Sequence, residues 1–163
     1  MALMLKMAKL LVELLQEDMI RLNIRVENWE DALAAGVQLL IDSGGVERRY
    51  LDSMIKMIKD IGPYVVIAPG LALGHAGLDQ GVNRTCFSLV TLKTPVKFGV
   101  PENDPVDIVF CFAAPNKEEH MKALREMALF CCENKNLDDI RMAIDPEEVR
   151  ENLIKFFRTE KHF

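Results

Sequence analysis

The chain has 163 residues, of which 50% are hydrophobic and 28% are charged, a composition typical of a soluble globular protein rather than a disordered one. Asp and Glu outnumber Lys and Arg by 25 to 20, and a net charge of -5 argues against nucleic acid as a partner. A chain of this length buries a sizeable core without disulfides or a structural metal, so we expect residues 1–163 to form a single domain.

The first predicted element is an amphipathic helix over residues 1–19. Its apolar residues recur at helical spacing, at Leu3, Met7, Leu10, Leu11 and Leu14. Charged residues interrupt each apolar run before it reaches membrane-spanning length, so the segment is predicted to be neither a signal peptide nor a transmembrane helix. The apolar face needs a core or a partner, and it therefore also allows a homodimer.

Two further helices are predicted in the first half of the chain. One begins at Trp29, with Asn28 as its N-cap and the pair Gly44-Gly45 as its stop. The other runs from about Glu47 to Lys59. The buried stripe of this second helix is predicted to consist of Leu51, Met54, Ile55 and Ile58.

The middle of the chain is predicted to form strands. The segment YVVIA, residues 64–68, is short, apolar and β-branched, which predicts a strand buried on both faces. The following LALGHAG, residues 71–77, is predicted to run to an exposed turn. Three more strands are predicted over residues 86–92, 95–100 and 106–114, and the last is a continuous apolar run typical of the centre of a sheet.

Helices return after the last strand. One is predicted from Lys117 to about Glu133, with Asn116 as its cap, and two short ones near 137–142 and 146–157. The apolar face of the first is predicted to comprise Met121, Leu124, Met127, Ala128 and Cys131. Helices before, between and after the strands indicate an α/β fold, a mixed sheet of about four to five strands sandwiched between helices.

The cysteines are predicted to be reduced core residues of a cytoplasmic protein. They lie in apolar stretches with no zinc-type spacing, at Cys86, Cys111, Cys131 and Cys132. Other candidate metal ligands are single and widely spaced, so no metal site is expected. The glycines after the strand at 64–68 lack the spacing of a nucleotide-binding loop, and no cofactor is expected.

Two of the three histidines fall where predicted strands end in turns. Neutral imidazole is a nucleophile toward phosphorus, and the flanking Gly74 and Gly77 are expected to open His75 to a partner. His120 lies near the first turn of its helix, where free N–H groups and the helix dipole favour an anion. If the two turns are neighbours, His75 as acceptor and His120 as hydrogen-bond donor form a phosphohistidine site. Otherwise they are incidental polar residues, as predicted for His162 in the terminal tail.

Four segments in order resemble a known family: PYVVIAPGLALGHAGLDQGV, SLVTLKTPVKFG, NDPVDIVFCFAA and NKEEHMKALREMA. From about Tyr50 to Leu129 the chain resembles the enzyme IIA component of the bacterial sugar phosphotransferase system, in the mannitol-fructose class and closest to its ascorbate-type members. The resemblance implies a mannitol-type IIA fold, with the active histidine at His75 and the histidine that stabilises the phosphoryl group at His120. It also implies that the phosphocarrier protein HPr donates the phosphoryl group. A separate IIB component receives it for sugar uptake through the membrane IIC permease.

The chain departs from the usual family pattern at Gly74, where proline is usual, and at Gly77, where a basic residue is frequent. An arginine of mannitol-type members aligns near Met57, and the candidates to replace its charge are Lys56, Lys59 and Arg84. The leading prediction is a phosphocarrier that uses phospho-His75. The alternative is a regulatory or interaction module with the same fold, which senses phosphorylation state without onward transfer.

Overall fold

The structure, a computed structural model, describes residues 9–159. The strands in this range are β1 (Ile20–Ile24), β2 (Val66–Ala68), β3 (Leu71–Gly74), β4 (Cys86–Val96) and β5 (Val106–Ala113). The helices are α1 (Lys9–Leu14), a 3-10 helix (Glu17–Met19), α2 (Trp29–Asp42), α3 (Arg49–Ile61), α4 (Lys117–Cys131), α5 (Asn134–Met142) and α6 (Pro146–Thr159). Leu3 and Met7 of the predicted first helix, and His162, lie outside the described residues.

The five strands form one mixed sheet in the order β1-β4-β5-β3-β2. β3 runs parallel to β5, with Gly74 opposite Cys111, whereas β4 is antiparallel to β5 and parallel to β1. The predicted mixed α/β sheet is therefore confirmed. Because β3 and β5 are parallel, the segments that follow them leave the sheet at the same edge.

Helices cover both faces of this sheet. Successive side chains of a strand point to opposite faces, so Cys111 and Phe112 of β5 distinguish the two sides. A Cβ on Gly36 of α2 would lie 2.6 Å from the Cys111 sulfur, while the Phe112 ring contacts His120 of α4 at a centroid distance of 5.2 Å. α2 and α4 therefore lie on opposite faces, as predicted.

The helix ends follow the local signals in the sequence. The Asn28 side chain accepts a hydrogen bond from the Asp31 N–H at 2.9 Å, and Asn116 accepts one from the Glu119 N–H at 2.9 Å. Gly44 has a φ of 80°, the left-handed conformation expected at a helix stop. The predicted caps of α2 and α4 are thus confirmed.

Several strand predictions were wrong. β2 has three residues at the edge of the sheet, with Ile67 48% exposed, because it pairs only with β3 and is not buried on both faces. LALG, residues 71–74, is instead the buried strand β3.

Residues 86–92 and 95–100 are not two strands, since β4 continues through an irregularity between Thr91 and Val96. β1 was not predicted at all.

The buried face of α4 also differs from the prediction. Met121 is 51% exposed and Ala128 is exposed, and Cys132 beyond the helix end is exposed rather than part of the core. The buried side chains of the helix are Ala123, Glu126, Met127, Phe130 and Cys131. The face is rotated because α1 packs against α4 and takes up the side that carries Glu126.

Side chains from two other helices anchor the described part of α1. The Glu126 carboxylate accepts a hydrogen bond from the Leu11 N–H at 2.8 Å. Near its end, the Arg150 guanidinium donates to the Val12 carbonyl and, at 3.1 Å, to the Leu15 carbonyl. These contacts join backbone groups of α1 and of Leu15 to side chains of α4 and α6. Within residues 9–159, no helix has both the length and the apolar character needed to cross a bilayer.

Candidate functional site

The structure brings the two predicted turn histidines together. His75 directly follows β3, and α4, which carries His120, begins shortly after the neighbouring parallel strand β5. The centroids of the two imidazole rings are 5.9 Å apart. The Phe112 ring at the end of β5 stacks on His75 at 5.3 Å and contacts His120 at 5.2 Å, so an apolar ring supports both histidines.

A backbone hydrogen bond fixes the tautomer of His75. Its Nδ1 lies 2.8 Å from the carbonyl oxygen of Leu73. A carbonyl only accepts hydrogen bonds, so we assign the proton to Nδ1. In the neutral ring, Nε2 then carries the free lone pair, which makes Nε2 the nucleophilic atom of His75.

Burial keeps both histidines neutral. It lowers the pKa of His75, an effect that the Leu73 hydrogen bond opposes and the nearby His120 reinforces. Burial also lowers the pKa of His120. The neutral form of each ring therefore predominates at neutral pH, and in that form the His75 lone pair is available for nucleophilic attack.

Two tyrosines hold the backbone at His75, and no motif in the sequence marks either as a site residue. The Tyr64 hydroxyl donates to the His75 carbonyl, and its ring meets the imidazole edge-on at 5.2 Å. The Tyr50 hydroxyl accepts from the Ala76 N–H at 2.9 Å and donates to the Phe112 carbonyl at 2.7 Å. The only available signal was that the chain has just two tyrosines, both upstream of the histidine turn.

The backbone N–H of His120 is not available to an anion. Its N–H is already bonded to the Asn116 carbonyl at 3.0 Å, and the Asn116 side chain occupies the Glu119 N–H. The first turn also carries Glu118 and Glu119, which oppose the helix dipole's attraction for an anion. The Glu119 carboxylate in turn accepts a hydrogen bond from the Thr85 hydroxyl at 2.8 Å, which ties the start of α4 to the sheet.

The two glycines beside His75 have different roles. A Cβ on Gly74 would lie 2.9 Å from the Cys111 sulfur and 3.0 Å from Leu33, so glycine is required there by core packing and not by access to a partner. A Cβ on Gly77 would make an ordinary contact of 3.4 Å with Gln80. The loop therefore has room on the Gly77 side only.

The three side chains that could replace the missing arginine charge are bound to other groups. Lys56 pairs with Asp60 at 2.7 Å, and Lys59 pairs with Glu30 at 3.5 Å. Arg84 donates to the Ser43 carbonyl at 2.5 Å. Among the described residues, no group of three or more His, Cys, Asp or Glu side chains is arranged to hold a metal ion.

Comparisons with known proteins agree with this fold. A family model described as phosphoenolpyruvate-dependent sugar phosphotransferase system, EIIA 2, matches residues 13–156. The ascorbate-specific PTS system EIIA component of Escherichia coli K12 is 38% identical over 142 residues, which cover 86% of this chain and 92% of that protein.

Two solved structures share the architecture at 22% identity, a level that shows the fold alone. The mannitol-specific cryptic phosphotransferase enzyme IIA of E. coli has a TM-score of 0.81 and covers 89% of this chain and 98% of its own. The E. coli mannitol enzyme IIA, solved in complex with phosphorylated enzyme IIB, has a TM-score of 0.77 and covers 86% of this chain and 97% of its own.

Proposed function

Because the chain belongs to the EIIA 2 family of the phosphoenolpyruvate-dependent sugar phosphotransferase system, we propose that it carries the phosphoryl group on Nε2 of His75. Membership in the family confirms the predicted phosphotransferase activity in sugar transport. The observation that supports Nε2 is the hydrogen bond of 2.8 Å between Nδ1 and the Leu73 carbonyl, which leaves Nε2 as the free nitrogen.

In the transfer step, the Nε2 lone pair forms a bond to phosphorus. The bond between phosphorus and the donor's leaving atom breaks, and the leaving group keeps that electron pair. The product ring holds the phosphoryl group on Nε2 and its original proton on Nδ1, so it is positively charged. The Leu73 carbonyl stabilises this charge through the same hydrogen bond, and the charged ring is a good leaving group for the next transfer.

His120 supports the transfer as a hydrogen-bond donor to the phosphoryl oxygens. Its ring lies beside that of His75, with centroids 5.9 Å apart, which leaves space for a phosphoryl group that contacts both. A neutral imidazole donates one N–H, and a phosphoryl dianion is a strong acceptor for it. His120 thus supplies stabilisation that the acidic first turn of α4 does not.

The proposed partners follow from the family and its relatives. HPr is the donor, a IIB component is the acceptor, and the IIC permease takes part only indirectly. The E. coli mannitol relative was solved with phosphorylated IIB, which supports the IIB assignment. The ascorbate-specific relative supports an ascorbate-type system. We further propose a cytoplasmic location and one IIA domain over residues 1–163, supported by the match to residues 13–156.

The proposal is tested by intact mass after incubation with phosphoenolpyruvate, enzyme I and HPr. We expect one added phosphoryl group that is labile in acid, absent from His75→Ala and slow to form in His120→Ala. His162→Ala, in the terminal tail, is the matched control and accepts the group at the wild-type rate. Acceptance by His75→Ala at the wild-type rate refutes the assignment. Phosphorylation without transfer to any IIB component supports the regulatory alternative instead.

A further inference from the structure

We propose that Tyr50 and Tyr64 are positioning residues that clamp the peptide bond between His75 and Ala76, and thereby aim the imidazole for phosphoryl transfer. The inference rests on the proposed role of His75 and adds two residues to its site. The two hydroxyls bind the two polar atoms of one peptide unit. Tyr64 donates to the His75 carbonyl oxygen, and Tyr50 accepts from the Ala76 N–H.

A peptide unit is planar, so fixing its carbonyl and its N–H fixes the orientation of the whole plane. The Cα of His75 is part of this unit, and the direction of its side chain follows the plane. Tyr50 also donates to the Phe112 carbonyl at 2.7 Å, which links the clamped peptide to the end of β5. α4, which carries His120, begins just beyond that point. The Tyr50 hydroxyl therefore fixes the position of the segment that carries His75 relative to the segment that leads to His120.

The backbone beside His75 does not supply this rigidity by itself. Gly74 is held by its pairing with Cys111 in the sheet, but it is the last residue of β3, and the chain leaves the sheet at His75. Gly77 and Gly81 follow in the same loop, and Gly81 has a φ of 87°. The order of the turn therefore depends on side chains that reach it from other elements, and the two tyrosine hydroxyls are placed to provide it.

Both phenols remain protonated and oriented under working conditions. Tyr50 is 1% exposed, and its burial raises the pKa of its hydroxyl above the ordinary value. Tyr64 is half-buried, and burial raises its pKa to about 12. Each hydroxyl therefore keeps the proton that it donates.

The test uses Tyr50→Phe, Tyr64→Phe and the double variant, which remove the hydroxyls and keep the rings. We expect each single variant to lower kcat for acceptance from phospho-HPr about tenfold while KM stays within about twofold, because the nucleophile is misaligned but the docking surface is unchanged. The fold-decrease in kcat of the double variant should be smaller than the product of the two single fold-decreases, because both hydroxyls hold the same peptide. Ser88→Ala is the matched control, since it removes a buried hydroxyl bond of 2.7 Å to the Gly36 carbonyl and spares His75.

A second readout separates this inference from the proposed function. Nitrogen-15 NMR of the unphosphorylated ring reports its tautomer, and we expect both variants to gain the Nε2–H form as the bond to the Leu73 carbonyl weakens. An unchanged kcat with an unchanged tautomer in Tyr64→Phe overturns the clamp, even if Tyr50→Phe fails to fold. A wild type that takes up no phosphoryl group refutes the role of His75, and the NMR comparison then still decides whether the clamp exists.

Discussion

Replacing Glu126 by glutamine should remove most of a pH dependence of stability that has its origin between α1 and α4. Glu126 is 1% exposed, and one of its carboxylate oxygens accepts the Leu11 N–H at 2.8 Å. The other oxygen, Oε2, has no hydrogen-bond partner among the described residues. Burial raises the pKa of this carboxyl to about 7, against the lowering effects of the Leu11 hydrogen bond and the charge of Lys122.

The raised pKa means that the protein loses stability as the pH rises. A carboxyl whose pKa is higher in the folded state than in the unfolded chain binds its proton more tightly when folded. Its stabilising contribution is full below the unfolded pKa and is lost as the pH rises through about 7. With an unfolded pKa of about 4.3, the shift corresponds to about 4 kcal/mol, of which about 2 to 3 kcal/mol disappears between pH 5 and pH 8.

The assay is urea unfolding of wild type and Glu126→Gln at pH 5 and pH 8, followed by circular dichroism. Glutamine does not titrate and still accepts from Leu11, so the variant gains about 2 to 3 kcal/mol on the wild type when the pH is raised from 5 to 8. Glu118→Gln is the matched control, because it replaces an exposed glutamate of the same helix. A gain below about 0.5 kcal/mol for Glu126→Gln, equal to that of the control, refutes the reasoning.

Three further predictions concern the site and its supports. The rate of phosphoryl acceptance should fall to half of its neutral-pH value only below about pH 6.5, the ordinary pKa of histidine, because burial lowers the pKa of His75. A half-point above about pH 6.5 in the initial rates contradicts this. Gly74→Ala should lower the free energy of unfolding by about 1–3 kcal/mol, because the added Cβ lies 2.9 Å from the Cys111 sulfur. Gly77→Ala should change it by less than about 0.5 kcal/mol, and equal losses in thermal unfolding would exclude a packing role for Gly74. Arg150→Ala should speed hydrogen exchange at the amides of residues 11–15 and leave those of α2 unchanged, and identical exchange in α1 would show that the guanidinium does not anchor it.

The helices were predictable because their signals are local. Asn28 and Asn116 bond to N–H groups three residues ahead, and Gly44 adopts the stop conformation, all within a single turn of chain. Such contacts depend on neighbours in the sequence and not on the rest of the fold. The first helix ends at Leu14 rather than at residue 19, because a 3-10 helix over Glu17–Met19 follows it, and the ends of the other helices lie within three residues of their predicted positions.

The strands were harder because their burial depends on the order of the sheet. VIA of β2 is as apolar as LALG of β3, yet β2 lies at the edge and β3 lies between two strands. β1 alternates polar and apolar residues over only five positions, too few to distinguish it from a loop. The rotated face of α4 has a similar origin, since α1 packs where Glu126 points and the two are separated by more than a hundred residues.

The site was predictable in its chemistry and not in its supports. His75 and His120 stand out because histidines are few and both fall where strands end. Their proximity depends on the parallel pairing of β3 with β5, which no local spacing encodes. Tyr50 and Tyr64 reach the turn from elsewhere in the chain, so only the folded structure identifies them as neighbours of His75.

The charges around His75 suit a site that holds a phosphoryl group transiently better than one that stays phosphorylated. The nearby first turn of α4 is acidic, with Glu118 and Glu119, while Lys56, Lys59 and Arg84 are engaged with other groups. A phosphoryl dianion on Nε2 would therefore gain support mainly from the His120 ring, and its own imidazole would carry a positive charge beside apolar Phe112. Because the phosphorylated histidine is only weakly stabilised, transfer of its phosphoryl group to the next acceptor releases more free energy. In the proposed mechanism, the scarcity of stabilising charge around His75 therefore favours transfer of the phosphoryl group to the next protein.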